Sequence, residues 1–501
     1  MPILFVHGYS AEGNSASPQA IRSIYKKLPA LLQNRLQVEV QELNLSRYIS
    51  LDDSITLDDV SNAMQRALER NFPTFLTGRF DIVTHSTGAI VVRNWLLKHW
   101  DPETPCPARN IVHLAGAHFG SPWAHIGRSQ IAKWARLILF GTGRGQQILD
   151  RLELGSNATI ELHRRLNLKK RAHAARAPRE FCIVGSQYAD SFAPIPVKYA
   201  NEEGSDGVVR VAASSPNFVY GRFVPSEQAL QALQTSDLFS LEALRSPTSV
   251  RSLRKPRPEL DNLYRFDSDA EARFDDVPLA VVSDTSHSSI LDPEPTPAAS
   301  GGDVLGLIGA AIGLGDSALV GEIQAVSNLF EDATRTARMA IAQRRKRRVA
   351  LVAEVDPREQ FNRYAQVVIR VFDQDSNPVK HFNAYFNPFP GEAPSRFIND
   401  LFADGHPNEV SSNTITFYIK VFDWDESARD WVHAVAQVKG CTLEIDALAH
   451  DSEHIRYLPF RKAFSQGTLA NWLVPDRTTV IDVHVQRVAS DQVFRIVPFA
   501  L

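Results

Sequence analysis

Short apolar runs alternate with amphipathic segments over the first 120 residues of the chain. The runs are rich in β-branched side chains, which favours buried strands. The segments between them carry apolar side chains at helical spacing. This alternation predicts a parallel sheet flanked by helices. The predicted strands are 3–6, 36–42, 80–83 and 110–114, with a further strand at 181–184, and the predicted helices are 18–32, 57–71 and 88–99.

Two stretches interrupt this pattern. Residues 123–178 are basic and amphipathic, and they predict a helical insertion. Within it, residues 122–139 combine two tryptophans with aliphatic and cationic side chains, a mixture suited to an interfacial lid or, equally well, to packing on the domain core. Residues 214–276 are rich in Ser, Pro and Arg without clear periodicity, so we interpret them as an elaborated loop insertion.

The pattern changes again beyond residue 315, where the first domain is predicted to end. Residues 316–348 predict a helical linker that closes with the basic run 344–348. Residues 349–501 alternate between strand-like runs and turns, which predicts a β-rich, sandwich-like domain. Within it, the segment 369–375 (IRVFDQD) returns as 419–425 (IKVFDWD). The aspartates of this repeat are interpreted as turn residues, with calcium ligation as the alternative.

Net charge, cysteine count and the composition of apolar stretches argue against several classes of protein. A net charge of -3 argues against a nucleic-acid partner bound through overall basicity. Three widely spaced cysteines predict neither a disulfide framework nor a zinc site. The N-terminal residues lack the basic and long apolar regions of a secretory signal, so synthesis in the cytoplasm is expected. The apolar stretch 304–314 is too short to cross a bilayer, and any membrane contact is therefore expected to be peripheral.

The segment DIVTHSTGAIVV at residues 81–92 carries the clearest chemical signal. A β-branched run leads into a turn of small residues and then into a helical pattern, with Ser86 at the turn. This arrangement is typical of the nucleophile elbow of α/β-hydrolases, in which the following amide, here that of Thr87, stabilises an oxyanion. Thr84 stands where the usual Gly-x-Ser-x-Gly pattern has its first glycine.

Two downstream segments supply partners for this serine. Asp206 lies in GSDGVV at residues 204–209, and His287 is the only histidine between Asp206 and the predicted domain boundary. The order nucleophile, acid, histidine is that of α/β-hydrolases. We therefore predict a triad of Ser86, Asp206 and His287, with Asp284 as the alternative acid.

Further residues are predicted to surround the triad. The backbone amide of Tyr9, in the His-Gly-Tyr segment that follows the first strand, is the candidate partner of the Thr87 amide in an oxyanion hole. Candidate pocket residues are His7, Gly8, His85 and His118, and for His118 a structural role is the alternative. Hydrolysis through an acyl-enzyme requires neither a metal ion nor an organic cofactor, so none is predicted.

The elbow at residues 84–88, the acid segment 205–207, the late His287 and the β-rich C-terminal half together resemble the PlaB-type bacterial phospholipases A and lysophospholipases A. The resemblance implies an α/β-hydrolase domain and release of fatty acids from glycerophospholipids and lysophospholipids. It also implies membrane association through the C-terminal region, assembly into homo-oligomers and a role in virulence. A bacterial protein of this kind without a signal peptide would be peripherally bound to membranes or exported by a non-classical route.

Two alternative functions are compatible with the sequence. A general carboxylesterase or neutral lipase would use the same triad on smaller or uncharged esters. A binding protein would carry its function in the β-rich domain and use the hydrolase domain as a scaffold. The combination of nucleophile, acid, histidine and oxyanion loop argues against the second alternative, because a scaffold needs none of them.

Overall fold

The computed structural model describes residues 1–7, 25–43, 54–126, 146–188, 198–235, 262–293, 303–349, 353–389, 401–448 and 454–489. The chain divides into two units. The first unit comprises residues 1–217, 274–363 and 423–432, and the second comprises residues 218–273, 364–422 and 433–501. Both units are therefore built from separate stretches of the chain.

Strands and helices are numbered here in chain order. The strands are β1 Ile3–His7, β2 Val40–Leu43, β3 Phe80–His85, β4 Ala108–Leu114, β5 Arg179–Gly185, β6 Phe218–Pro225, β7 Tyr264–Phe266, β8 Ala272–Phe274, β9 Leu279–Val282, β10 Arg347–Val349, β11 Ala353–Val355, β12 Arg363–Asp373, β13 Phe382–Pro388, β14 Phe402–Pro407, β15 Thr414–Asp425, β16 Asp430–His433, β17 Gly440–Ala447, β18 Ile455–Tyr457, β19 Phe460–Ser465, β20 Arg477–Val485 and β21 Arg487–Ala489. The helices are α1 Leu28–Leu36, α2 Leu57–Asn71, α3 Pro73–Thr77, α4 Gly88–His99, α5 Trp123–Ile126, α6 Gln146–Leu152, α7 Asn157–Ala172, α8 Glu227–Thr235, α9 Val304–Gly313, α10 Val320–Ala342, α11 Pro357–Gln360 and α12 Gln466–Trp472.

A parallel sheet forms the centre of the first unit. Its six strands run in the order β2-β1-β3-β4-β5-β9, and every neighbouring pair is parallel. Alternate residues of β1 enter two different cores: Leu4 and Val6 join one, and Ile3 and Phe5 join the other. Because successive strand residues point to opposite faces, apolar cores cover both sides of the sheet. The predicted α/β class is confirmed.

Observed element bounds agree with most of the predicted ones. Helices α2 and α4 span the predicted ranges 57–71 and 88–99. The strand predicted over 36–42 begins only at Val40, because α1 continues to Leu36 and Gln37 ends it with a φ of 52°. Of the helix predicted over 18–32, residues 18–24 lie outside the described part of the chain.

The predicted helical insertion at 123–178 has a different role over much of its length. Helix α7 lies between β4 and β5 in sequence and packs on α4. Parallel strands require such a crossover helix, so residues 157–172 are part of the basic fold. Residues 127–145, which include most of the lid candidate, are not described.

The second unit contains two principal β-sheets. A mixed sheet includes the order β14-β15-β12-β20-β6-β7, and a smaller antiparallel sheet has the order β13-β17-β19. Val371 of β12, Phe223 of β6, Leu443 of β17 and Phe460 of β19 belong to one buried cluster. Both sheets therefore contribute to one core, as in the β-rich, sandwich-like domain that was predicted.

Residues 214–276 differ from the loop insertion that was predicted there. Their strand β6 pairs in parallel with β20, with Phe218 opposite Thr478 and Phe223 opposite Val483. Residues 218–273 therefore belong to the second unit. The physical reason is that β6 is an apolar strand whose partner comes from the far end of the chain.

The predicted linker at 316–348 contains α10, which is part of the first unit. Its residues Ala337 and Ile341 are fully buried in a cluster with Val281 of β9. Within the described ranges, no helix is long and apolar enough to cross a membrane. The apolar stretch predicted at 304–314 forms α9, a helix of 10 residues.

The aspartates of the internal repeat close turns. Asp373 Oδ1 accepts hydrogen bonds from the amides of Asp375 and Asn377 at 2.9 and 2.8 Å. Asp425 Oδ1 accepts from the amides of Ser427 and Ala428 at 2.7 and 2.9 Å. These contacts agree with the turn interpretation. In the part of the chain that the structure describes, no group of three or more His, Cys, Asp or Glu residues is placed to hold a metal ion.

Candidate active site

Ser86 occupies a sharp corner between β3 and α4. Its φ is 52°, in the left-handed region that side chains other than glycine rarely adopt. Such a conformation costs about 1–3 kcal/mol and persists only where neighbouring contacts enforce it. Here the Ser86 amide donates to the Leu114 carbonyl at 3.0 Å, and the Ser86 carbonyl accepts from the Ala117 amide at 3.3 Å. The corner lifts a partly exposed hydroxyl off the end of the sheet.

His287 bridges the other two predicted triad residues. Its Nε2 lies 3.1 Å from Ser86 Oγ, and its Nδ1 lies 2.9 Å from Asp206 Oδ2. Asp206 is fully buried, and His287 is 7% exposed. Since a carboxylate only accepts, Nδ1 carries the proton and Nε2 is free to accept one from the serine. The structure thus brings together all three residues that the motifs single out.

The loop around Asp206 is held by hydrogen bonds to both of its sides. Asp206 Oδ1 accepts from the amides of Val208 and Val209 at 2.9 and 2.7 Å, which leaves Oδ2 for His287. From outside the loop, Trp123 Nε1 donates to the Gly207 carbonyl at 2.8 Å, and Ser121 Oγ donates to the Val208 carbonyl at 2.6 Å. These supports were not predicted from the sequence. Their signal is the Gly-Ser-Pro-Trp segment at residues 120–123, in which Trp123 and Ser121 lie 84 and 87 residues before the carbonyl groups to which they donate.

Loss of the hydrogen bond from Trp123 is expected to slow ester hydrolysis. In Trp123→Phe the buried Gly207 carbonyl loses its donor, so the loop that aims Asp206 relaxes. We expect kcat to fall about tenfold, because small displacements of catalytic groups are costly. Steady-state kinetics on a short-chain ester measure this. Trp95→Phe is the control: it removes another indole hydrogen bond, to Gln65 at 2.7 Å, and is expected to lower Tm but not kcat.

The segment that carries His287 has two further supports. The His287 amide donates to the Asp206 carbonyl at 3.0 Å, and His85 Nε2 donates to the His287 carbonyl at 3.0 Å. The rings of His85 and His287 lie 4.7 Å apart, measured between centroids. His85, predicted as a pocket residue, therefore contacts the segment that carries His287.

The alternative acid, Asp284, points elsewhere. Its carboxylate forms a paired contact with the Arg344 guanidinium, on the first residue of the basic run. This pairing raises the pKa of Arg344. Asp206, and not Asp284, is the carboxylate against His287.

Solved structures of known proteins share the fold of this chain. No protein-family model and no curated protein sequence matches the chain. Among solved structures, phospholipase PlaB from Legionella pneumophila matches with a TM-score of 0.74 and 21% identity, over 100% of this chain and 96% of that one. PlaB in complex with thio-NAD matches with a TM-score of 0.75 and 20% identity, over 100% and 97% of the two chains. The chain has the PlaB fold. The resemblance inferred from the motifs is confirmed at the level of fold.

The predicted oxyanion hole of this PlaB fold is described on one side only. Thr87 is buried and lies immediately before α4, at a helix N-terminus, where backbone amides lack intrahelical acceptors and favour negative charge. Gly8 and Tyr9 lie outside the described residues. His7 ends β1, in register with His85 of β3.

His118, the last predicted pocket residue, is fully buried. Its ring lies 4.7 Å from that of His113 and 5.3 Å from that of His163, measured between centroids. Burial holds the pKa of His118 well below its usual value. Within the PlaB fold of this chain, His118 is therefore a neutral residue of the interior, in line with the structural alternative.

Proposed function

We propose that this protein hydrolyses the fatty-acyl esters of glycerophospholipids and lysophospholipids through an acyl-enzyme on Ser86. The observation that carries the proposal is the position of His287, 3.1 Å from Ser86 Oγ and 2.9 Å from Asp206 Oδ2. The full-length likeness to a phospholipase supports the choice of lipid substrate.

In the proposed reaction His287 acts first as a base and then as an acid. Nε2 takes the hydroxyl proton as Ser86 Oγ attacks the ester carbonyl, and the resulting tetrahedral oxyanion is stabilised by backbone amides. The intermediate collapses to the acyl-enzyme, and Nε2 returns the proton to the departing alcohol. Water then attacks in the same way and releases the fatty acid. Asp206 orients the ring and stabilises the imidazolium without taking up the proton itself.

The amides of Thr87 and Tyr9 are proposed as the oxyanion hole. Support for Thr87 comes from its place at the N-terminus of α4, directly after the nucleophile. A pair of backbone donors at this point would act where charge develops on the substrate oxygen.

A substrate panel tests the proposed function. Fatty-acid release is measured from diacyl phospholipids, lysophospholipids, neutral glycerides and short-chain esters, with Ser86→Ala as the blank. We expect serine-dependent release from the phospholipids and lysophospholipids. Turnover of short esters or glycerides alone would replace the phospholipase proposal with the general esterase or neutral lipase.

Two properties implied by the resemblance are also proposed, namely peripheral membrane contact and homo-oligomer formation. Flotation with phospholipid vesicles tests the first, and light scattering coupled to size-exclusion chromatography tests the second. We expect protein in the vesicle fraction and a mass above the 55.8 kDa of one chain. Absence from the vesicles, or the mass of a single chain, would remove the corresponding proposal.

A further inference from the structure

Thr84 departs from the usual elbow pattern, and its hydroxyl has a buried partner. The residue is fully buried two positions before Ser86, where a glycine would place no polar atom. Its Oγ1 lies 2.9 Å from Nδ1 of His113, which is also fully buried. The two residues face each other in the parallel register of β3 and β4. The contact therefore links β3 to β4 next to the point where the Ser86 amide donates to the Leu114 carbonyl.

The charges around His113 determine the direction of this bond. His113 Nε2 lies 3.3 Å from Glu180 Oε1, and a carboxylate only accepts, so Nε2 carries the ring proton. Nδ1 must then accept from the Thr84 hydroxyl. Glu180 in turn receives two hydrogen bonds from Arg93 Nη1, at 2.7 and 2.6 Å. Burial alone would raise the pKa of Glu180, but the cations of Arg93 and Lys170 hold it well below its usual value.

A second arm leads from Arg93 back to the nucleophile. Arg93 Nε donates to His163 Nδ1 at 2.9 Å, so His163 Nε2 is the donor to the His118 carbonyl at 2.6 Å. That carbonyl belongs to the residue after Ala117, whose amide donates to the Ser86 carbonyl. These hydrogen bonds, together with the covalent chain through residues 84–86 and 117–118, form a closed path around the corner, which we name the elbow circuit. It consists of Thr84, His113, Glu180, Arg93, His163 and the backbone of residues 114–118 with Ser86.

The circuit is built entirely inside the first unit. Its five side chains, those of Thr84, His113, Glu180, Arg93 and His163, are all at most 3% exposed. Burial lowers the pKa of His113 and of His163, which agrees with the neutral rings that the hydrogen bonds require. A buried polar network of this kind rigidifies its surroundings only when every member is satisfied. Loss of one hydroxyl is therefore expected to loosen the corner.

We propose that the elbow circuit holds the Ser86 peptide in its left-handed conformation and so aims Oγ at His287. Thr84, His113, Glu180, Arg93 and His163 are then positioning residues for the reaction. The inference rests on the proposed function, since it concerns the same serine. The proposal also explains why a threonine stands where a glycine is usual. The hydroxyl of Thr84 completes the circuit, and the hydrogen bonds of the circuit constrain the left-handed conformation of Ser86.

Thr84→Val tests the proposal, because valine has nearly the shape of threonine without its hydroxyl. We expect kcat on a short-chain ester to fall about 10- to 100-fold with KM nearly unchanged, as for a misaligned nucleophile. The rate at which a fluorophosphonate labels Ser86 should fall in parallel, since labelling requires the same attack by Oγ. Thr84→Ser keeps the hydroxyl and should restore most of both rates. Thr84→Ala, which places no methyl group against His113, serves if the valine variant does not fold.

Thr159→Val is the matched control. Thr159 is also buried, and its hydroxyl donates to the Arg151 carbonyl at 2.7 Å, outside the circuit. The Thr159→Val variant should have a lower Tm but unchanged rates of ester hydrolysis and fluorophosphonate labelling. If Thr84→Val and Thr84→Ala lower only Tm, as this control does, the circuit is merely structural and the proposal is overturned. Failure of the proposed function would be seen differently, as no serine-dependent release from phospholipids or lysophospholipids by the unmodified protein, or as undiminished hydrolysis by Ser86→Ala.

Discussion

Ser86→Ala is expected to lower kcat for ester hydrolysis about 10⁶-fold, to the level left by binding and the oxyanion hole alone. The change removes the one oxygen that lies 3.1 Å from His287 Nε2. Folding should be nearly unaffected, because the hydrogen bonds that define the corner are made by the backbone of Ser86 with Leu114 and Ala117. His287 also keeps its hydrogen bond to Asp206. The loss should therefore appear in kcat while Tm stays nearly constant.

Fatty-acid release and fluorophosphonate labelling measure this loss independently. Ser288→Ala is the control, since this serine follows His287 directly but is exposed. It should retain both hydrolysis and labelling. Full hydrolysis by Ser86→Ala would show that another residue is the nucleophile, whereas loss of labelling together with hydrolysis would assign both to Ser86.

The contact of Ser86, Asp206 and His287 was predictable because its signals are local. A strand, a small-residue turn and a helix follow one another within residues 81–92, and the elbow needs little else to form. Asp206 lies in a glycine turn, and His287 has no competing histidine in its part of the chain. Chain order alone was then sufficient to join the three. The bounds of α2 were also predictable, since its buried residues recur at helical spacing.

Contacts between distant segments were not predictable from one sequence. Tyr220 in β6 donates to Asp482 in β20, 262 residues later, and no local pattern indicates such a pairing. The contact of Trp123 was not predictable for the same reason. From the sequence, Trp123 is interpreted as a core or lid residue, and only the structure places its indole against the loop of Asp206. The elbow circuit was not predictable either, because Arg93, His113 and Glu180 come from three different elements. Tertiary packing alone brings these groups together.

Asp206→Asn is expected to lower kcat about 10⁴-fold while the fold is retained. An asparagine side chain still has an oxygen to accept from the amides of Val208 and Val209, so the loop keeps its shape. Its amide group would face His287 Nδ1 as a donor, which favours the tautomer with the proton on Nε2. That nitrogen then has no lone pair with which to accept the serine proton. Steady-state kinetics and Tm on the same samples check both parts of this expectation.

Asp284→Asn provides the matched comparison, since it makes the same chemical change three residues before His287. Asp284 is exposed and pairs with Arg344, and exposed ion pairs contribute about 0–1 kcal/mol. Its kcat should stay within a few-fold of the unmodified protein. A severe loss in Asp284→Asn together with a mild loss in Asp206→Asn would reverse the assignment of the acid. The opposite result would establish that the buried carboxylate 2.9 Å from Nδ1, and not the nearer one in sequence, sets the state of the catalytic histidine.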